Sequence, residues 1–321
     1  MMAFAGHDAP WREWRSALAG PRMHHGWILS GKRGTGKAGF ALMAARELVA
    51  EPGVPQPPHD HPDVIVLENL PATSEDEKKK EAGKPFNLKR NISVDQVRAM
   101  QRRLSTRPTM GDRRAIIIDP ADDLEKSAAN ALLKSLEEPP AGTYFLLVTH
   151  RIGRLLPTIR SRCRVLGFPP INDAAIDSIL QQAEPRADHA MRQAAIAAAA
   201  GSPGAAIDFV ALDLGRLHGL MTEIAERGDP DFSLRGQLAE AMGARPDRKR
   251  QLAAVELARN VVASRMHTTP KRFLPALTEA HAALARLAAQ APTYNFDPGL
   301  MVMEIGGLLT SLAMPREAAH G

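Results

Sequence analysis

Residues 31–38 read Gly31-Lys32-Arg33-Gly34-Thr35-Gly36-Lys37-Ala38 and fit G-x-x-x-x-G-K, the pattern of a phosphate-binding loop, as far as its seventh position. Glycines at Gly31, Gly34 and Gly36 let backbone N–H groups converge on phosphate oxygens. A following helix adds the positive end of its dipole, and Lys37 brings a charge for the outer phosphates. The eighth position of the pattern is Ser or Thr, whose hydroxyl ligates Mg²⁺. Here it is Ala38, which has no oxygen to offer. A second metal-binding element is altered in the same sense. The apolar run Ala115-Ile116-Ile117-Ile118 ends in Asp119, as a Walker B strand does, but Pro120 stands where an ATPase of this type carries a Glu to orient water. Asp122 and Asp123 are offset along the chain and are expected to cap the segment leading into the next helix. The residue types therefore predict a cradle at Gly31, Gly34, Gly36, Lys37 and Ala38, with Asp119 beside it, that binds ATP or ADP weakly without hydrolysing it.

A second group of residues lies further on. Arg160, Arg162 and Arg164 crowd around Ser161-Arg162-Cys163. An arginine presented at a domain edge can reach a neighbouring subunit's nucleotide and stabilise phosphoryl transfer. Spacing alone leaves this finger and a solvated basic turn both open. Cys163 precedes the apolar residues Val165-Leu166-Gly167-Phe168 and is expected to be a small buried residue rather than a reactive thiol. His59 and His61 have no third ligand nearby, so a surface loop is expected there and no metal site.

The elements that must position these residues alternate in type. Trp27 to Ser30 predicts a strand entering the glycine loop, and Phe40 to Val49 the helix leaving it. A short helix is expected at Trp11 to Leu18, after Pro10. Strands are expected at Asp63 to Glu68, Arg114 to Asp119 and Thr143 to Thr149. Helices are expected from Ser93, capped with Gln96, to about Leu104, and from Ser127 to Glu137. Continuous apolar strands alternating with helices predict a parallel sheet covered on both faces. Residues 71–90 are rich in Pro, Glu, Asp, Lys and Gly and read as a flexible surface insertion. The run Lys78-Lys79-Lys80 is flanked by acidic residues, which favours a solvated loop over a nucleic-acid contact. From Ile171 onward the pattern is helical, with breaks near Gly201 to Gly204, Pro230, Pro246, Pro270 and Pro292. The expected division is an α/β domain over 1–169, a small helical domain over 170–210 and a larger helical domain over 211–321.

Composition bounds the possibilities. The 321 residues are 44% hydrophobic, with few aromatics, so a core would be mostly aliphatic. A net charge of +5 suits a partner with phosphates but is a weak signal. One cysteine excludes an intrachain disulfide and a multi-cysteine zinc site. No run of about 20 apolar residues exists to span a membrane, and residues 1–18 lack the apolar core of a secretory signal. A cytoplasmic location is expected.

The segment Ser127-Ala128-Ala129-Asn130-Ala131-Leu132-Leu133-Lys134-Ser135-Leu136-Glu137-Glu138-Pro139-Pro140, followed by an apolar strand and Ser161-Arg162-Cys163, resembles the bacterial clamp-loader AAA+ subunits of DNA polymerase III. The altered Walker B strand and Gly201-Ser202-Pro203-Gly204-Ala205-Ala206 are most similar to the ATPase-inactive branch of that family. The resemblance covers about residues 10–210. It implies an AAA+ P-loop domain, a helical lid and a helical collar. It also implies a place in a hetero-pentameric ring with delta and gamma/tau subunits that opens the sliding clamp and sets it on primed DNA. In motor subunits of the family an Arg follows Gly-Ser-x and senses the γ-phosphate; here that position is Gly204. The family's finger arginine maps to Arg162. Its four-cysteine zinc module has no counterpart in this chain, so zinc is not expected. An active gamma/tau-type motor and an independent DNA-binding module are the rival readings.

Overall fold

The computed structural model describes residues 6–84, 86–266, 268–290 and 296–313. It divides into two units, Met1–Pro170 and Ile171–Gly321.

The first unit begins with α1 (Asp8–Ala19), β1 (Gly26–Gly31) and α2 (Lys37–Val49). The helix α1 starts ahead of Pro10 rather than after it, because a proline in the first turn has no intrahelical N–H bond to lose. It continues through β2 (Val64–Glu68), α3 (Ser74–Glu81), α4 (Val94–Leu104), β3 (Arg114–Asp119), α5 (Lys126–Glu137) and β4 (Thr143–Thr149). The one-turn helix α6 (Pro157–Arg160) and β5 (Arg164–Phe168) complete it. The strands form one parallel sheet in the order β2-β3-β4-β1-β5. Alternate residues of its apolar strands feed two cores. Ile28, Ile116, Ile118, Phe145 and Leu147 join one face. Trp27, Leu29, Ala115, Ile117, Leu146 and Val148 join the other, with Trp14 and Phe40. This is the two-faced α/β layer that the continuous apolar runs imply.

The order of strands places β1 between β4 and β5, so the glycine loop leaves the carboxyl edge of the sheet. Open parallel sheets bind their ligands at that edge. In register, Ser30 faces Thr149, Gly31 faces Phe168 and Glu68 faces Asp119. At the opposite, amino edge a buried ionic knot closes the sheet. The Asp63 carboxylate accepts from the backbone N–H groups of Thr109 and Met110 at 2.7 and 2.8 Å and faces Arg114 Nη2 at 3.6 Å. Arg114 in turn donates to the carbonyls of Arg103, Thr106 and Arg107.

The described residues between 71 and 90 contain a helix and a bridge, where composition suggested a flexible insertion. Thr73 caps α3 by accepting from Asp76 N, and the segment is closed by a bridge between Pro71 and Leu88. The Asp76 carboxylate also accepts from Asn87 N at 3.0 Å. This helix is polar nearly all round and is held by its cap and by the Lys79–Glu75 pair at 2.8 Å. The capping box of α4 forms as expected, with Ser93 and Gln96 satisfying each other's backbone N–H. The strand β5 has no counterpart among the expected strands.

In the second unit α7 (Asp173–Ala183), α8 (His189–Ala199), α9 (Pro203–Ala211) and α10 (Gly215–Arg227) are followed by α11 (Ser233–Met242), α12 (Arg248–Arg265), α13 (Leu274–Gln290) and α14 (Pro298–Thr310). Ser202 caps α9 by accepting from Ala205 N. All of these helices share one hydrophobic cluster, in which Ala206 and Phe209 of α9 join Leu217 and Met221 of α10. Among the described residues the cluster runs across the boundary expected near residue 210. The breaks expected near Pro230, Pro246 and Pro270 fall between helices, and Pro292 lies outside the described residues. No described helix is long and apolar enough to cross a membrane.

Candidate nucleotide site and arginine turn

The glycine loop runs from the end of β1 into α2. Gly34 and Gly36 have φ of 79° and 86°, a left-handed conformation that glycine adopts without strain. A Cβ at Gly31 would collide with the carbonyl of Phe168 on β5, so this position also requires glycine. These three residues shape the cradle, and Ala38 sits in the first turn of α2 with no oxygen directed at the site.

Lys37 is buried, and its ammonium is bonded within the loop itself. Nζ donates to the Gly31 and Lys32 carbonyls at 2.7 and 2.6 Å, and Thr35 Oγ1 lies at 3.4 Å. Burial brings its pKa down to about 8, against the opposing pull of Asp119 and Asp122. Burial pushes the Asp119 carboxyl the other way, above its ordinary value, with Lys37 resisting. The two predicted partners therefore lie close enough at the carboxyl edge for each charge to act on the other. The peptide bond from Asp119 to Pro120 is cis, and Pro120 offers no carboxylate. The loop keeps the glycines and the lysine of the pattern, whereas its Mg²⁺ ligand is missing at Ala38.

Asp122 and Asp123 do not cap the helix after them. Asp122 Oδ1 accepts from Thr149 Oγ1 at 2.9 Å, and Oδ2 from His150 N, so this carboxylate ties down the chain leaving β4. Asp123 accepts from Asn69 Nδ2 at 2.9 Å. The helix α5 starts at Lys126 without a side-chain cap. Both carboxylates are thus engaged by neighbouring polar groups.

Two histidines at this site escaped sequence reasoning. His7 reaches the loop from the start of α1 and hydrogen-bonds the Thr35 carbonyl through Nε2. Its ring meets Phe168 edge-on at 4.9 Å. Only the tautomer protonated at Nε2 can donate to that carbonyl. His150 follows β4 and is brought down to a pKa of about 4, first by burial and then by Lys37. Both imidazoles are thus held neutral.

This has a consequence for stability. Between about pH 4 and 6.5 the unfolded chain binds a proton that folded His150 refuses, so stability falls as pH falls through that window. His7, also lowered by burial, adds to the slope, while Asp119 and Asp123, raised by burial, oppose it. The slope from one such group is about 1.4 kcal/mol per pH unit at most. All three tryptophans, Trp11, Trp14 and Trp27, lie in the first unit, so their fluorescence reports its unfolding. Urea titrations at pH 7 and pH 5 should show this loss, and His150→Gln should reduce it.

The arginine turn lies at the other edge of the sheet. Trp27 is in register with Arg164, at the amino ends of β1 and β5, while Gly31 pairs with Phe168 at their carboxyl ends. At about 3.3 Å per residue, the length of β5 puts the turn on the order of 15 Å from the loop. Within one chain the turn and the glycine loop are therefore separate. Arg162 pairs with Glu137 at 2.7 Å. Arg164 pairs with Glu13 at 3.0 Å and lies over the Trp27 ring. Arg160 is exposed. Cys163 is partly buried and its thiol is pushed up to about 12 by burial, which keeps it protonated and unreactive at neutral pH.

Of the two loop histidines, His59 is exposed as expected, with its backbone carbonyl accepting from Arg46, whereas His61 is buried and its Nδ1 accepts from Asp63 N at 3.1 Å. Among the described residues no group of three or more His, Cys, Asp or Glu side chains is placed to hold a metal.

A sequence profile for the family described as DNA polymerase III, delta subunit, matches residues 6–172, which is more than half of the chain and contains both the loop and the turn. The chain belongs to the DNA polymerase III delta' clamp-loader family. It is 34% identical to the DNA polymerase III subunit delta' of Pseudomonas aeruginosa over 65% of this chain and 61% of that relative. It is 40% identical to the delta' subunit of Escherichia coli over 38% of this chain and 36% of that one. The matched segments thus span less than two thirds of these relatives. Among solved structures, a DNA polymerase III gamma subunit-related protein from Thermotoga maritima superposes with a TM-score of 0.52, covering 94% of this chain and 99% of that one. At 16% identity that likeness shows a shared fold. The family expected from the segment 127–140, the Ser-Arg-Cys turn, the altered Walker B strand and the segment 201–206 is the one found.

Proposed function

We propose that this chain is a non-hydrolysing scaffold of the DNA polymerase III clamp loader that donates Arg162 to ATP bound by a neighbouring subunit. The ring would join delta and gamma/tau subunits, act on the sliding clamp and primed DNA, and work in the cytoplasm. In the neighbour's site water attacks the γ-phosphorus, the bond to the bridging oxygen breaks, and ADP and phosphate leave. The charge on the transferring phosphoryl oxygens is what an arginine finger stabilises.

One observation carries this reading: the glycine loop and Arg162 stand at opposite edges of the same sheet. An arginine in that position is far from its own loop and is partly exposed. The hydrolytic side is consistent with the same role, since Ala38 and Pro120 replace an Mg²⁺ ligand and a water-orienting carboxylate. An active gamma/tau-type motor would need both. A DNA-binding module would need a recognition element, and the sequence carries no recognition-helix or zinc-finger pattern.

The isolated chain is expected to show negligible ATPase activity while binding ATP or ADP weakly through the backbone cradle and Lys37. Turnover in the ordinary enzyme range of about 1–10³ s⁻¹, abolished by Lys37→Ala, would defeat the scaffold reading. Titration with a fluorescent nucleotide to millimolar concentration tests the weak binding; no saturable signal would make the loop purely structural. Native mass spectrometry of the chain mixed with delta and gamma/tau subunits should give a defined five-membered ring.

A further inference from the structure

Arg162 does not hang free from its turn. Its Nη2 meets Glu137 Oε1 at 2.7 Å. Its Nη1 donates to the Thr158 carbonyl at 2.9 Å and to Ser161 Oγ at 3.2 Å. A guanidinium carries five N–H donors in a planar fork. These contacts use three and leave two.

The partner is itself fixed. Glu137 is the last residue of α5, and the carbonyl before it, on Leu136, hydrogen-bonds His25 Nε2 at 2.9 Å. That bond pins the end of α5 to the segment entering β1. From the other side β1 presses on the turn. A Cβ at Gly26 would lie 2.9 Å from Cys163 Sγ and 3.2 Å from the Arg162 carbonyl, so a side chain there would crowd the turn. Arg162 is thus held by its backbone through β1 and by its head group through α5.

We propose that Glu137 is a positioning residue for Arg162: its carboxylate fixes the plane of the guanidinium so that the two remaining donors face the neighbour's nucleotide. This rests on the reading of Arg162 as a finger. The side chains of Arg162 and Glu137 are 34% and 47% exposed, so their pair adds little to folding stability. Its effect is on orientation. A free arginine samples many rotamers, and a head group set beforehand loses less freedom when it engages a phosphate. Small misplacements of a catalytic group carry large kinetic penalties.

The test uses the assembled ring with clamp and primed DNA, reading kcat and KM for ATP. Glu137→Gln keeps the shape and removes the charge. It is expected to lower kcat about 10-fold at the site served by Arg162 and to leave KM and the tryptophan-monitored unfolding midpoint unchanged. Glu137→Asp, which restores the charge on a shorter arm, should recover part of the loss. In an Arg162→Ala background Glu137→Gln should cost nothing further, because its effect passes through the arginine. The positioning role falls if Glu137→Gln leaves kcat as in the wild type, or raises it as release of an inhibitory latch would. It also falls if the loss is the same with and without Arg162. If Arg162→Ala is itself without effect, the finger reading falls and Glu137 with it. If Arg162→Ala slows the ring and Glu137→Gln does not, the finger stands and only the positioning role is lost.

Discussion

Arg162→Ala in an otherwise intact ring should lower DNA-stimulated ATP hydrolysis at the one site that Arg162 contacts by roughly 10³-fold, with ring assembly unchanged. The size follows from where the charge acts. A guanidinium against the transferring phosphoryl group works in a site closed to water, where its field is little screened. Loss over the whole ring will be smaller where other sites still turn over. The fold should tolerate the change, because the arginine's partners are a partly exposed Glu137 and groups of its own turn. Arg162→Lys should not restore the rate, since an ammonium cannot reproduce the planar fork. Arg160→Ala and Arg164→Ala separate a finger from general basic charge. Arg160 is exposed, and Arg164 is tied to Glu13 and the Trp27 ring, so neither is set as Arg162 is. If the three alanine variants behave alike, or if Arg162→Ala leaves ATPase and clamp loading intact, the turn is only a solvated basic surface.

How far the sequence could be read depended on whether a residue's partner was near it in the chain. The strands Arg114–Asp119 and Thr143–Thr149 were legible to their ends, because a fully buried parallel strand writes itself as an unbroken apolar run. The capping box of α4 is local, and so is the glycine loop. By contrast β5 is short, carries Gly167 and leaves Val165 45% exposed at the sheet edge, so its run is broken where solvent reaches it. The helix α3 lacks an apolar stripe altogether; its cap and ion pair are local, but its composition is that of a loop. Asp122 and Asp123 sit where caps often sit, yet their partners are Thr149, His150 and Asn69, which only the sheet brings near. The site divides in the same way. Lys37 and Asp119 announce themselves by motif. His7 meets Thr35, and Glu137 meets Arg162, through the packing of distant elements, and no spacing in the chain signals either.

Asp63→Ala should destabilise the first unit by about 3–5 kcal/mol, the cost of breaking a buried ion pair from one side. Asp63 is fully buried and Arg114 nearly so. Removing the carboxylate strands two backbone N–H groups, those of Thr109 and Met110, and leaves a guanidinium facing an apolar methyl. Water cannot readily replace those bonds at a position with no exposed surface, so the penalty is close to that of desolvating the groups outright. The Arg114 head would still hold the carbonyls of Arg103, Thr106 and Arg107. Its charge would have lost the nearest counter-charge. Asp63→Asn keeps one acceptor oxygen and should cost less, about 1–3 kcal/mol. Urea unfolding followed by tryptophan fluorescence reads this unit, since all three tryptophans lie within it. A loss below about 1 kcal/mol for Asp63→Ala, the level of an exposed pair, would mean that the knot is not what fixes the start of β2 and β3. The site depends on this remote edge through β3, which begins at Arg114 and ends at Asp119 beside Lys37. A strand whose amino end is loosened holds its carboxyl end less firmly, so weakening of nucleotide binding at the glycine loop should accompany the loss of stability.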